Sequence, residues 1–340
     1  MTGQADGFLL VDKPSGVTSF QVVRHVRYAL REAFPQLQPP RSRRRSGPRP
    51  PRFKCGHTGT LDPLASGLRV GVTGRGSRLA PFLSGQDKTY AATVRFGTET
   101  DTLDSDGTPM ASLPVPPTAE EVVAHLASFR GEIRQVPPLV SALKRDGKPL
   151  YARVRAGEDP RAPAARAVRI DRLELTAVRW PAGGEDACEL DLLVTCSAGT
   201  YIRSLARDLG RAAGTAAHLA GLRRLAVGPF SVEEALADVF CCDGAAIAAR
   251  LRPPVEALPA APRLALTAAE VAQVTAGGQP AATWLARLEG TDAVTAGGGL
   301  LRLVGPDDEL VAVACMTTSG PRLAAVLAAP PATEGSATCE

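Results

Sequence analysis

Apolar residues along this chain change their spacing from one stretch to the next, and each spacing marks an element. Between Thr18 and Ala33, Val22, Val23, Val26, Leu30 and Ala33 recur at helical spacing. Thr18, with Gln21 three residues later, fits a capping box at the start of that helix. From Tyr90 to Phe96 the period drops to two, which puts Tyr90, Ala92, Val94 and Phe96 on one face of a strand. Thr118 and Glu121 predict a helix that ends near Arg130 and turns Val122, Leu126 and Phe129 inward. Strand patterns return over 167–178 and 190–196. Residues 200–209 read as a helix with Ile202, Leu205 and Leu209 on its core face. Strands and helices mixed in this way, with few adjacent β-α-β repeats, predict an α+β fold rather than a doubly wound sheet.

Several stretches break the pattern. Residues 35–53 are rich in Pro, Arg, Gln and Ser, have nothing to bury, and predict a disordered basic insertion. Residues 133–165 lack periodicity and hold many Pro, Gly and basic residues. A proline-rich stretch near 252–263 separates a large unit, 1–255, from a small one at 263–328. In the small unit Thr267 and Glu270 cap a short helix. The runs 301–304 and 310–315 flank Gly305–Glu309 as a hairpin, and a further strand follows at 322–327. Residues 329–340 read as a flexible tail.

Composition narrows the class. The 340 residues suffice for one large core and a smaller one, and 44% hydrophobic residues is ordinary for a globular protein. No run approaches the roughly 18–20 apolar residues of a membrane helix. The first residues lack the basic and apolar regions of a signal peptide, so a cytoplasmic protein is expected. Seven cysteines and four histidines are dispersed without a Cys-x-x-Cys pair, which predicts reduced thiols and implies no metal. The net charge of +4 is unevenly placed. Arg41, Arg43, Arg44, Arg45, Arg49, Arg52 and Lys54 fall within 35–54 with no acid among them, so the remainder is net negative. A basic block of this kind suggests a polyanionic partner.

The chemistry centres on residues 54–67, Lys-Cys-Gly-His-Thr-Gly-Thr-Leu-Asp-Pro-Leu-Ala-Ser-Gly. Three glycines and Pro63 make this a turning segment. Its one carboxylate, Asp62, lies between Leu61 and Leu64. Taken alone, Asp62 is either a turn residue capping local N–H groups or an acid set against a partly apolar pocket.

The segment resembles the Gly-His-Thr-Gly-x-Leu-Asp-Pro-x-Ala-x-Gly signature of the TruB family of tRNA pseudouridine synthases. Further blocks are similar to that family in the same order: 7–19, 87–90 with 96–107, 135–151, 196–203 and 222–225. The resemblance implies a pseudouridine synthase fold, a mixed and largely antiparallel central sheet with flanking helices, followed by a small β-rich PUA-like domain at 263–328. It implies a monomer that acts on the T-arm of tRNA, turning out a T-loop uridine and isomerising it without cofactor or metal. Asp62 would be the nucleophile, at either uracil C6 or ribose C1′, with Arg203 as its counter-charge. Tyr90 would stack on the base and help the C5 proton leave, and Tyr201 and Leu222 would line the base pocket. His57 would fill the gap left in the RNA stack. Lys144, Arg145 and Lys148, with Arg153 and Arg155, would grip RNA from a thumb-like insertion at about 133–165. The long basic stretch at 35–53 departs from the family, where this loop is usually short.

Two other functions stay open on the residues. The basic stretches alone would suit an RNA-binding protein without catalysis. The family also includes relatives that modify ribosomal RNA within a ribonucleoprotein. A paired-carboxylate hydrolase needs a second acid at the site. Asp87, Asp101, Asp104 and Asp106 stand in a turn-rich block with no pairing evident from sequence.

Overall fold

A computed structural model describes residues 5–37, 53–114, 118–141, 143–145, 147–158, 161–180, 188–288 and 299–328. The expected insertion therefore lies outside the described residues except for a 3-10 turn at Pro35–Leu37 and for Phe53, and the tail at 329–340 lies wholly outside.

The first helix forms as its pattern predicts, over Ser19–Ala33. Thr18 accepts from the Gln21 backbone while the Gln21 side chain accepts from Thr18, so both members of the capping box are satisfied. Its apolar stripe packs on Leu9 and Val11 of the first strand and on Ile247. The Lys88–Phe96 strand alternates buried and open positions as its period of two requires, with Tyr90, Ala92, Val94 and Phe96 inward. The helix expected at Thr118 is shorter than its pattern. Ala119–Val123 is α-helical, a 3-10 turn follows at Leu126–Phe129, and Thr118 makes no side-chain cap.

One mixed sheet organises the large unit. Its order is Gly7–Lys13, Ser66–Thr73, Ala217–Val227, Lys88–Phe96, Glu189–Cys196, Arg166–Arg179 and Gly131–Gln135. Two short strands, Cys55–His57 and Phe230–Ser231, pair onto Ser66–Thr73 and Ala217–Val227. Every pairing in this sheet is antiparallel except one, where Ser66 and Gly67 run parallel to Arg223 and Arg224. Gly67 is obligatory there. Its φ is +104°, and a Cβ would stand 2.2 Å from the Arg224 carbonyl oxygen. The helix Ile202–Ala212 covers the inward face of the central strands, burying Ile202, Leu205 and Leu209 against Val94 and Leu192.

A second, four-stranded sheet joins Arg263–Ala265, Leu300–Val304, Leu310–Thr317 and Gly320–Val326. The helix Ala268–Thr275 packs on it, capped by Thr267 and Glu270. The proline-rich stretch between the sheets is packed rather than free. Ala257, Leu258 and Ala261 share one cluster with Phe8 and Val72 of the large sheet and with Val304 and Val313 of the small one. Among the described residues no helix is long and apolar enough to cross a membrane. The six described cysteines are all free thiols.

Candidate active site

The turning segment at 58–65 is held by its surroundings rather than by regular structure. Ser19, the first residue of the first helix, donates from Oγ to Leu61 O at 2.9 Å and accepts from Leu61 N at 3.0 Å. Ser15 Oγ donates to Leu64 O at 2.6 Å, and Gly16 N donates to Pro63 O at 2.8 Å. Lys13, fully buried, reaches Pro63 O at 3.3 Å and also donates to Pro14 O and Val17 O. The block at 7–19 thus fixes the backbone on both sides of Asp62.

Asp62 projects from this loop into a cleft of about 270 Å³. Tyr90 and Lys88 of the central strand, Leu222 and Arg224 of the next strand, and Tyr201 and Arg203 at the start of the Ile202–Ala212 helix complete much of the wall. These residues come from four separated stretches of chain. Tyr90 and Arg224 are ladder partners, as are Ala92 and Leu222, so alternate side chains of both strands face the cleft together.

Arg203 is the centre of the polar contacts. Its side chain is 5% exposed and its Nε stands 2.8 Å from Asp62 Oδ2. On the other side Nη1 donates to Thr102 O at 2.8 Å and lies 3.5 Å from Asp104 Oδ2. Asp104 is itself buried and accepts from Thr102 Oγ1 at 2.5 Å and from Asp106 N at 3.2 Å. The pairing that the sequence did not show for the acids at 101–106 is thus present for Asp104, through Arg203. Asp104 is 42 residues from Asp62, and only folding places both on one guanidinium.

Burial pushes the Asp62 carboxyl above its ordinary range, although the side chain keeps 33% of its exposure. Arg203 opposes that push, and the nearby Asp104 charge adds to it. The arginine tempers rather than cancels the cost of burial. Two lysines near Asp62 feel burial in the opposite sense. Lys13 and Lys88 are each lowered to about 8, mainly by burial, with Arg69 and Arg224 respectively as the next repelling charges.

Tyr201 is positioned by Gln135. The buried Gln135 side chain accepts from Tyr201 N at 2.8 Å and donates to Tyr201 O at 3.0 Å. The Arg166 guanidinium lies 4.9 Å from the Tyr201 ring centroid and donates to Gly199 O, covering one face of the ring. His57 stands upstream of the cleft wall, on the short strand Cys55–His57, with Nδ1 3.1 Å from Gly59 O. Burial first, and the Arg69 charge second, bring its pKa down to about 4, so the ring is neutral at pH 7.

The expected gripping residues lie apart from this cluster. Lys144–Arg145 and Lys148–Pro149 form a small antiparallel hairpin, followed by the helix Leu150–Arg155. Lys148 is exposed, and the side chains of Lys144 and Arg145 fall outside what is described. Sequence reasoning missed Asp104, Arg166, Lys88 and Arg224. A cation among apolar strand positions, as at Lys88 and Arg224, was the signal available for two of them. Among the described residues no group of three or more potential metal ligands occurs.

A family model described as the TruB family pseudouridylate synthase N-terminal domain matches residues 44–202. One described as the tRNA pseudouridylate synthase B C-terminal domain matches 203–255. The chain is 43% identical to tRNA pseudouridine synthase B of Azoarcus sp. (strain BH72), over 80% of this chain and 82% of that protein. It is 40% identical to the protein of the same name from Cutibacterium acnes, over 89% of this chain and 94% of that one. In structure it resembles a chain from the crystal structure of a Cbf5-Nop10-Gar1 complex, with a TM-score of 0.66 and 25% identity over 97% of this chain and 87% of the other.

Proposed function

The chain belongs to the TruB family of pseudouridylate synthases and forms pseudouridine in tRNA, and we propose that its target is a uridine of the T-loop, with Asp62 as nucleophile. The reaction breaks the bond between ribose C1′ and uracil N1 and joins C1′ to C5 instead. A carboxylate can assist by adding to uracil C6 or to C1′. The observation that carries this reading is the Arg203 bridge, which holds a partly exposed carboxylate in a cleft that also presents Tyr90, Tyr201 and Leu222.

The remaining residues take roles that their places support. Arg203 favours the ionised form of Asp62, and Asp104 with Thr102 O holds Arg203. Tyr90 and Tyr201 present rings to a base turned out of the T-loop, and Leu222 supplies an apolar contact. In this reading the Tyr90 oxygen, once deprotonated, takes up the proton leaving C5. A neutral His57 can stack in the vacated position of the RNA, since stacking requires no charge. Lys144, Arg145 and Lys148 lie on one short hairpin, and cations of this kind suit phosphate contact.

The test uses purified protein, an unmodified tRNA transcript and no added cofactor or metal. The reading expects pseudouridine at one T-loop position from the wild-type protein. It expects none from Asp62→Asn, which keeps tRNA affinity within about threefold because most contacts go to the RNA backbone. Turnover by Asp62→Asn within tenfold of wild type, or modification elsewhere in the tRNA, rules it out.

A further inference from the structure

Arg224 is a buried cation that the roles above leave without a task. Its side chain is 1% exposed, Nε donates to Leu68 O at 2.6 Å, and Nη2 has no partner among the described residues. A guanidinium so placed is costly, since an unpaired buried donor loses its water and gains nothing. Its backbone is locked as well. Gly67 runs parallel to it with no space for a Cβ, and the ladder to the Lys88–Phe96 strand shifts register just after it. Across that ladder Arg224 stands directly opposite Tyr90. Residues so paired turn their side chains to the same face within contact distance. Both line the cleft that contains Asp62, and the guanidinium charge favours the ionised form of the Tyr90 phenol.

We propose that Arg224 is a positioning residue for Tyr90, holding the phenol in place and supporting the negative charge its oxygen carries as it becomes the acceptor of the C5 proton. This rests on the role given to Tyr90 above. Once C1′ is bonded to C5, the C5–H bond breaks. Tyr90 first gives up its hydroxyl proton to water, and its oxygen then takes the C5 proton while the C5–H electron pair becomes the restored C5=C6 double bond. The electron pair displaced onto N1 takes a proton from water, so one proton leaves to solvent and one returns, and the step is a net tautomerisation that needs no other co-reactant.

The charges around the phenol agree with this assignment. Burial is the largest influence on Tyr90 and raises its pKa; Arg224 pulls it back, while Cys196 and Asp62 push it further up. Lys88, two residues earlier on the same strand face, is engaged by Ser84 O and Gln86 O. Arg203 is committed to Asp62 and Asp104. Arg224 is left as the cation that acts on the phenol. It is also repelled by its own neighbours, since Lys13, His57, Arg69 and Lys88 all have their charged forms disfavoured by it. Negative charge on the Tyr90 oxygen relieves that crowding.

The experiment is single-turnover modification of tRNA carrying protium or deuterium at uridine C5, across a range of pH. It compares wild type, Arg224→Gln, Arg224→Lys, Tyr90→Phe and the double variant Tyr90→Phe/Arg224→Gln. Arg224→Gln is expected to slow the reaction by about tenfold or more, the scale of impaired general-base catalysis, and to unmask a primary deuterium isotope effect. Its rate should recover toward alkaline pH, and Arg224→Lys should recover part of the loss at neutral pH. Adding Arg224→Gln to Tyr90→Phe should cost nothing further, because the two act through one oxygen. Thermal melts and tRNA affinity separate these effects from misfolding. If Arg224→Gln does not fold, the isotope effect and pH profile of Arg224→Lys decide. An isotope effect and pH profile like wild type in every folded Arg224 variant, or a fully additive loss in the double variant, overturns the proposal. A Tyr90→Phe enzyme with wild-type rate and no isotope effect overturns the reading of Tyr90 and this inference with it.

Discussion

Replacing Arg203 by Met removes the charge between two carboxylates while keeping most of the side-chain volume. The arginine is 5% exposed and has three partners, Asp62 at 2.8 Å, Asp104 at 3.5 Å and Thr102 O at 2.8 Å. Breaking a buried pair costs about 3–5 kcal/mol because the partner is stranded. Asp104 is well buried and keeps two donors, while Asp62 stays one-third exposed and is screened by water, so the low end, about 3 kcal/mol, applies to stability. In a chain of 340 residues that lowers the melting temperature by roughly 4 °C. For catalysis the relevant quantity is the ionised fraction of Asp62. Losing Arg203 disfavours the carboxylate, and wherever the pH lies below its pKa each unit of further rise in that pKa lowers the ionised fraction by up to about tenfold.

The sign gives a sharper test. Asp62 is already pushed upward by burial, and removing the opposing charge pushes it further. The deficit of the variant should therefore shrink by up to about tenfold for each unit of rising pH, until the carboxylate is ionised in both proteins. Single-turnover rates from pH 6 to 9, with melting curves alongside, measure both effects. Adding Asp104→Asn to Arg203→Met should restore much of the melting temperature without restoring activity. A variant with the wild-type rate and pH profile across that range refutes the ion-pair argument.

Gly67→Ala should cost about 2–4 kcal/mol, from a left-handed φ and a Cβ directed at the Arg224 backbone; an unchanged melting temperature would show that the parallel strand contact is looser than described. His57 should titrate near 4 by NMR; because its folded pKa lies below the free value of 6.5, its contribution to stability falls as pH drops from about 6.5 through 4, and a midpoint near 6.5 would contradict its burial. Deleting residues 36–51 removes five arginines, and each that touches phosphate should flatten the salt dependence of tRNA binding by about 0.7–0.9 in log–log slope, with the modified position unchanged. An equal slope in filter-binding titrations would mean that this stretch makes no phosphate contact.

Local chemistry made part of this protein legible in one dimension. The capping boxes at Thr18 and Thr267, the alternation through Tyr90–Phe96 and the hairpin around Gly305–Glu309 are set by neighbours within a few residues, so their elements follow from sequence. The signature around Asp62 is likewise contiguous, because a loop that turns repeatedly needs its glycines and proline in fixed order. The helix after Thr118 came out shorter, since the capping side chain makes no bond and the last turn tightens to 3-10 geometry. The Arg203 counter-charge came with the family resemblance, but what holds Arg203 in turn was invisible, for a reason of distance along the chain. Arg203 meets Asp104 through a helix and a loop about a hundred residues apart, and Arg224 meets Tyr90 only because two strands pair in one register. An acid in a turn-rich block and an arginine in an apolar strand each read as solvated until folding removes the water. Burial then makes their charges strong, and only the tertiary structure decides which charges are buried together.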